Sequence, residues 1–501
     1  MNKRILKMIL IYSVFFICIV LLKHYTFHSN AWDLGIFDEA IWNTTQGNFM
    51  FINVKDINYF SDHFSPILLL FVPFYLIGLG GPKLLICTQA IVVALGALPI
   101  YWLAKDNLKD EKFHFLFPFA YLFFLPLWHI IVFDFHPESL AITFFLFAFY
   151  FLSKEKYSPF LCFVILGAMC KEDMNLIAAF FGLYILFFKK RKILGLILAV
   201  AGSFLFFFEL QYLIPSFSTG ESYLYFDRYA YLGNNFSEIA KTLILRPFYV
   251  LKYILIPDKI IYVLCLTGAV GFLCFLSPST LLLAAPSFAQ NILSMYAGQY
   301  GFHSQYNSGI IPFLFISAIF GLKNLLKNKD EKFIKKWTKY ASRIIIFFII
   351  VSILEFSLGF FPRYTFITQH VLYGHNLLKQ IPKNASVSAS SNIYPHLAHR
   401  KNIWEFPKGI GSADYIIIET LDPIWPLEDK DYPPVLNKLW DEKQYKKVLG
   451  FIFLGEVRTP AKSKKEYQEQ VNAILKNKKY KILANQEQFL LLKKSSIHEK
   501  D

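Results

Sequence analysis

The sequence predicts a polytopic α-helical membrane protein with a small α/β domain outside the bilayer, and three observations predict it. Of 501 residues, 55% are hydrophobic, 18% aromatic and only 17% charged, whereas soluble domains carry about a quarter charged residues. The apolar residues come in runs near the ~20-residue length that crosses a bilayer. Polar, proline-punctuated sequence is concentrated after Phe361.

The first element is Met8–Leu22, preceded by Lys3, Arg4 and Lys7 and followed by Lys23 without a small-x-small cleavage site. That pattern reads as a retained signal anchor and first span. Apolar runs then place spans at about 5–23, 83–104, 113–132, 138–153, 158–170, 174–188, 193–213, 258–276, 279–297, 308–322 and 341–361, about eleven in all. Those at 158–170 and 174–188 are short, which predicts tilted or paired helices.

Charge orients the chain. The net charge is +15, from 51 Lys+Arg against 36 Asp+Glu, and in a membrane chain such an excess marks cytoplasmic loops. No nucleic-acid motif is present, so no nucleic-acid partner is expected. With the N-terminus cytoplasmic, alternation puts Lys105–Lys112, Lys154–Lys156, Lys189–Lys192 and Lys323–Arg343 inside. The same alternation puts Lys23–Pro82, Phe133–Glu138, Cys170–Asp173, Ile214–Pro257, Gly298–Asn307 and everything after Phe361 outside. All the unusual polar stretches then share one face of the plasma membrane. Pro66–Gly80, apolar but short, reads as a helix lying on that surface. The six cysteines, 18, 87, 162, 170, 265 and 274, lie in or beside apolar runs and read as small core residues.

The expected domains are 1–362, a transmembrane unit with a first outer loop at 24–82, and an extracytoplasmic α/β domain at 383–501. Ser386–Ala389, Tyr415–Glu419, Tyr480–Ala484 and Phe489–Leu492 read as strands, the last two joined by a turn at Asn485–Gln488. Tyr467–Asn477 reads as a helix. Pro382, Pro395, Pro407, Pro423, Pro426, Pro433 and Pro434 punctuate the remainder.

The outer face gathers the chemistry. F-D-F-H-P-E at Phe133–Glu138 sets Asp134, His136 and Glu138 between two apolar runs, and charges at mid-bilayer are costly enough that these belong at a span's end. They read either as a polar cap or as a functional group of two carboxylates and an imidazole. Ala31–Asn43 has an apolar stripe at Leu34, Phe37 and Ile41, which predicts an amphipathic helix on the membrane surface. Asp33 or Asp38 on it is either a solvated acid or a base held above the bilayer. Asp62 and His63 precede the surface helix. Lys171, Glu172 and Asp173 form either a structural ion pair or, through Lys171, a phosphate ligand. Arg228, near Tyr223, Tyr225, Tyr229 and Tyr231, can hold a lipid phosphate, and His303 adds an imidazole. These groups offer mixed N/O ligands without a metal-site spacing, so no cofactor is assigned and a divalent ion stays an alternative.

The stretches D-L-G-I-F-D-E-A-I-W-N, D-H-F-S-P-I-L-L-L, A-L-G-A-L-P-I-Y-W-L-A, F-D-F-H-P-E and C-K-E-D-M resemble an uncharacterised family of predicted membrane proteins, DUF2079. The match is specific over about residues 31–190. More distantly, the layout is similar to the polytopic GT-C glycosyltransferases, in which a first span, a long outer loop with an acid, a second acid in the next outer loop and an outer C-terminal domain recur. The resemblance implies a GT-C-like fold and a polyprenyl-phosphate sugar as donor. It also implies that Asp33, with Asp38 as competitor, activates the acceptor hydroxyl, and that Asp134 and Glu138 hold the second-loop position. The His-Pro inside F-D-F-H-P-E departs from that pattern. The expected function is sugar transfer from a lipid-linked donor to a lipid, glycan or protein acceptor among membrane lipids. The alternatives are a transporter or lipid flippase and a non-catalytic membrane sensor.

Overall fold

A computed structural model describes residues 2–218, 224–360, 366–420 and 461–495. Tyr223, Pro423, Pro426, Pro433 and Pro434 lie outside the described residues. Among those described, five helices are long and apolar enough to cross a membrane by length and composition: Lys3–Tyr25, Pro82–Asn107, Glu111–Phe133, Lys192–Ser216 and Glu331–Leu358. Shorter apolar helices, Pro137–Ser153, Tyr157–Ala168, Met174–Phe188 and Ile311–Leu326, pack among them.

The first helix, α1 (Lys3–Tyr25), starts where the Asn2 side chain accepts a hydrogen bond from the Arg4 amide. The short helices are tied into pairs. Met174–Phe188 runs against Lys192–Phe208 so closely that a Cβ on Gly182 would sit 2.2 Å from the Ala199 nitrogen, and one on Gly202 2.6 Å from the Ala179 nitrogen. Glycine at these two positions lets the backbones touch, the way membrane helices associate where no hydrophobic force drives them together. The run read as 258–276 breaks early, with helix over Pro257–Gly268 only. Gly271 and Phe272 turn left-handed, at φ 66° and 57°, and end it.

The loop after α1 is folded rather than draped on a surface. Ala31–Gly35 makes a π-helical turn and runs into α2 (Ile36–Thr45). Residues Ile36 through Ile41 are all buried, which corrects the expectation of an interfacial helix: both faces of α2 are covered, one by the Pro66–Leu76 segment and the other by the C-terminal sheet. A short hairpin, β1 (Phe51–Ile52) with β2 (Ile57–Asn58), follows. Pro66–Leu76 is helical, shorter than expected, with Leu70, Phe74 and Leu76 exposed.

The C-terminal sheet has five strands, β3 (Val387–Ala389), β4 (Ile403–Glu405), β5 (Tyr415–Glu419), β6 (Tyr480–Gln486) and β7 (Phe489–Lys494), in the order β4-β3-β5-β7-β6. β3 pairs parallel with β4 and β5, while β7 is antiparallel to β5 and β6. Side chains alternate across a strand, so Ile416 and Ile418 pack under the Ala461–Leu475 helix with Val471 and Ile474. Ile417, Leu491 and Phe489 face the other way, into the core shared with the helical bundle. Burial on both faces explains the unbroken apolar run Y-I-I-I-E. All six cysteines are free; Cys170 and Cys274 are buried, but Cys18 and Cys162 are exposed, against the reading of all six as core residues.

Candidate functional site

The site is assembled where the loop after α1, the turn between Phe133 and Pro137 and the turn before Met174 meet. Asn30 begins it. Its side-chain oxygen accepts from the Trp32 and Asp33 amides at 2.8 and 2.9 Å, capping the π-helical turn, while its Nδ2 donates to Asp33 at 2.6 Å. The cap leaves Asp33 facing His136, whose Nε2 lies 3.3 Å from the other carboxylate oxygen. His136 is held in turn by Gln89, which accepts from the His136 amide at 2.8 Å and donates to the Asp134 carbonyl at 2.8 Å. A glutamine inside an apolar helix thus shapes the Asp134–His136 turn.

Asp134 has a different partner. Lys23, at the end of α1, donates to its Oδ1 at 2.6 Å and to the Phe133 carbonyl at 2.8 Å. Glu138 lies 3.5 Å from the Lys171 ammonium. Glu172 accepts from the Phe64 amide at 3.1 Å and sits 2.9 Å from His63 Nδ1. Asp62 is paired with Lys55 and accepts from the Tyr225 hydroxyl at 2.9 Å, and the Tyr225 ring stacks on His63 at 4.8 Å. Arg228 lies over the rings of Tyr225 and Tyr296, each at 4.5 Å, and donates to the Tyr306 hydroxyl at 3.2 Å. Lys171 lies over the same Tyr306 ring at 5.9 Å. The charged groups therefore form one connected layer.

Exposure separates the carboxylates. The side chains of Asp134, Glu138, Glu172 and Asp62 are 2%, 7%, 1% and 1% exposed, but that of Asp33 is 20% exposed. Burial opposes the Asp33 charge, yet the hydrogen bond and charge of His136, with help from Asn30 and Lys23, hold its carboxyl below the ordinary value. Burial likewise opposes a charge on His136, and Asp33, Glu138 and Asp134 lift its pKa above the ordinary one. The pair is carboxylate and imidazolium. At the Lys171–Asp173 turn, burial pushes Asp173 up to about 6, with Glu172 and Glu138 adding to the rise against the pull of Lys171.

Asp38 and His303 stand apart from this layer. Asp38 is fully buried, accepting from the Tyr75 hydroxyl at 2.7 Å and lying 3.0 Å from His399 Nε2. Its neighbour Glu39 accepts from the Asn53 amide at 3.0 Å and the Tyr394 hydroxyl at 3.1 Å; burial pushes it up to about 7 against those hydrogen bonds. Both acids join the loop to the C-terminal part of the chain through Tyr394 and His399. His303 packs on His129 at 4.4 Å, and His129 Nε2 is 3.4 Å from Glu355. Lys23, Asn30, Lys55, Gln89 and Tyr306 were not legible as site residues. Lys23 reads as a span-flanking cation, and Gln89 carried the one available signal, an amide inside an apolar run. Among the described residues no group of three or more His, Cys, Asp or Glu side chains is placed to hold a metal ion; each carboxylate of the layer faces a cation or a hydrogen-bond donor instead.

The family of predicted membrane proteins DUF2079 matches residues 23–448. The chain belongs to this family. It is a helical, membrane-embedded protein, as the DUF2079 description and its apolar helices state together. No curated protein matches it. Among solved structures the DUF2079 chain is similar to ArnT from Cupriavidus metallidurans bound to undecaprenyl phosphate. Identity is 11% over 96% of this chain and 97% of that one, at a TM-score of 0.41, a likeness too loose to carry residue roles across.

Proposed function

We propose that this DUF2079 protein is a membrane glycosyltransferase that moves a sugar from a polyprenyl-phosphate donor to an acceptor on the extracytoplasmic face. About eleven spans and an extracytoplasmic C-terminal α/β domain belong to this reading. Asp33 carries it: held ionised by His136 and Asn30, it is partly open to solvent where Asp134, Glu138, Glu172 and Asp62 are buried. The donor and its acceptor approach that open side from the bilayer surface.

In this mechanism the acceptor oxygen attacks the anomeric carbon as the bond to the phosphate oxygen breaks, inverting that carbon. Asp33 takes the acceptor proton as the new bond forms. His136 keeps Asp33 oriented and ionised. The phosphate departs with the bonding electron pair and a growing negative charge, which Lys171 and Arg228 stabilise across Tyr306. Asp134, Glu138 and Glu172 hold Lys23, Lys171 and His63 in place, because a buried cation without a partner is strongly unfavourable.

A second reading, passage of a lipid or solute through the bundle, draws on two buried polar contacts within apolar helices, Asn175 to Glu209 at 2.7 Å and His129 with Glu355. Reconstituted vesicles separate the two. With polyprenyl-phosphate sugars supplied, sugar transfer releases free polyprenyl phosphate from wild type and not from Asp33→Asn. Release equal in both, or flux of lipid across the bilayer without release, contradicts transfer.

A further inference from the structure

A cavity of about 1170 Å³ opens between the C-terminal end of α1, the start of the Pro82–Leu95 helix and the loop after β3. It lies apart from Asp33 and His136, and its walls divide by chemistry. Cys18, Leu21 and Leu22 of α1 form one apolar wall, and Ile367 with Leu378 forms another. The polar lining includes three cations, Lys83, Lys383 and Arg400, and the imidazoles His24, His375, His396 and His399. Asp38 is the acid among the lining residues, and Tyr75 and His399 both hold its Oδ1.

Four groups on this lining have buried hydrogen-bonding atoms left over: His24 Nδ1, His396 Nε2, Arg400 Nε and Asp38 Oδ2. His24 is 4% exposed and its Nδ1 has no partner, while its ring stacks on His396 at 4.2 Å. Arg400 is 8% exposed; its Nη1 donates to the carbonyls of Lys383 and Ala385 at 3.1 Å, but its Nε has no partner. Buried polar atoms are nearly always satisfied, and the Arg400 Nε, which can only donate, points to a missing acceptor. The excess of cations over acids makes that acceptor an anion.

The apolar walls tell what the anion is attached to. Ile11, Val14 and Cys18 are exposed on α1, at the spacing that puts them on one helix face with Leu21. That strip runs along a membrane-length helix directly into the cavity. We propose that the cavity binds the phosphate headgroup of an anionic diacyl phospholipid of the bilayer, with its chains leaving over the two apolar walls and down this face of α1. The lipid would fasten α1 to the C-terminal sheet, since both contribute to the headgroup end. A phosphodiester suits the lining because charge-assisted hydrogen bonds to Arg, Lys and imidazole are the strong ones, and basic pockets beside membrane helices select anionic headgroups. This inference does not rest on sugar transfer.

The test uses the full chain in mild detergent, titrated with phosphatidylglycerol or phosphatidylcholine and read by native mass spectrometry, beside a Lys83→Gln/Lys383→Gln double variant. Both lysines are exposed at the rim, so the variant leaves the packed interior in place. Wild type should retain phosphatidylglycerol in clear preference, and the double variant should weaken that preference about 25-fold, with roughly fivefold for each cation removed. Millimolar inorganic phosphate should not displace the lipid. Equal retention of the two lipids, an unchanged preference in the double variant, or displacement by free phosphate would each overturn the proposal, the last by making this a site for a free anion. A sugar-transfer assay can fail without touching any of these readings.

Discussion

Asp33 and Asp38 belong to one short segment, share one residue type and end in opposite circumstances. Asp33 is at the edge of the charged layer, partly open, with an imidazolium and an amide as partners. Asp38 is closed over by Tyr75 and by His399 from the loop before β4. The difference is one of cover. Around Asp38 and Glu39 the C-terminal sheet brings down Tyr394 and His399, so these acids become joints between two parts of the protein. Around Asp33 the C-terminal part supplies the Trp32-to-Glu405 and Ala31-to-Ser391 contacts just before it, and the carboxylate stays reachable. An acid in a loop beside a membrane is thus reactive or structural according to what folds over it.

That contrast can be broken by substitution. The largest effect is expected from Asp33→Asn, which keeps the hydrogen-bonding shape but removes the proton acceptor: transfer should fall about 100-fold or more, while the protein stays folded in detergent and loses less thermal stability than Asp38→Ala does. Asp38→Ala should do the reverse. It strands the Tyr75 hydroxyl and His399 beside a buried gap, so stability should fall by roughly 2–3 kcal/mol, measured as a loss in thermal midpoint. An Asp33 variant that unfolds, or an Asp38 variant as stable as wild type, would erase the distinction.

Acidity sharpens it further. His136, raised in the folded protein from an ordinary 6.5, contributes stability that is complete below 6.5 and is lost as pH rises through its folded value. Asp33, lowered from 3.8, contributes stability present above 3.8 and lost as pH falls through its folded value. The pair therefore stabilises most between those two ordinary values. The difference in thermal midpoint between wild type and His136→Gln should be widest near pH 5.5 and narrow as pH climbs well above 6.5. A gap that widens with pH would contradict an Asp33–imidazolium pair. The smallest effect is expected at Lys154, whose pairing with Asp106 at 2.9 Å is more than a third exposed on both sides. Lys154→Ala should move stability by less than about 0.5 kcal/mol, which sets the scale for an ion pair left in water.

Much of the fold was legible because period and length carry it. The apolar runs mark the helices of the bundle, and the short unbroken apolar runs at Tyr415–Glu419 and Phe489–Leu492 mark two neighbouring strands. β4 was not legible: Ile403–Glu405 is three residues long, bounded by Lys401 and Pro407, too short to show a period. The amphipathic stripe in Ala31–Asn43 was real, yet it could not reveal that the polar side would also be covered, because part of the cover, Tyr394 and His399, lies more than 300 positions away. The same distance hid the site's partners. Asp134 and His136 stood out as ionisable groups between apolar runs, but Lys23 and Gln89, which fix them, are separated from them by long stretches and look like ordinary flanking and core residues. Asp33 and Asp38 could be told apart only once the sheet was in place.

The central claim is that Asp33 is the working carboxylate of a lipid-linked sugar transfer, and the lipids the protein keeps test it most directly. Wild type, Asp33→Asn and Asp38→Asn are purified in mild detergent and their bound lipids identified by mass spectrometry. A polyprenyl-phosphate sugar that accumulates on folded Asp33→Asn, and does not accumulate on wild type or on Asp38→Asn, is the result this account predicts. Identical lipids on all three, with no sugar-charged polyprenyl phosphate among them, would contradict it.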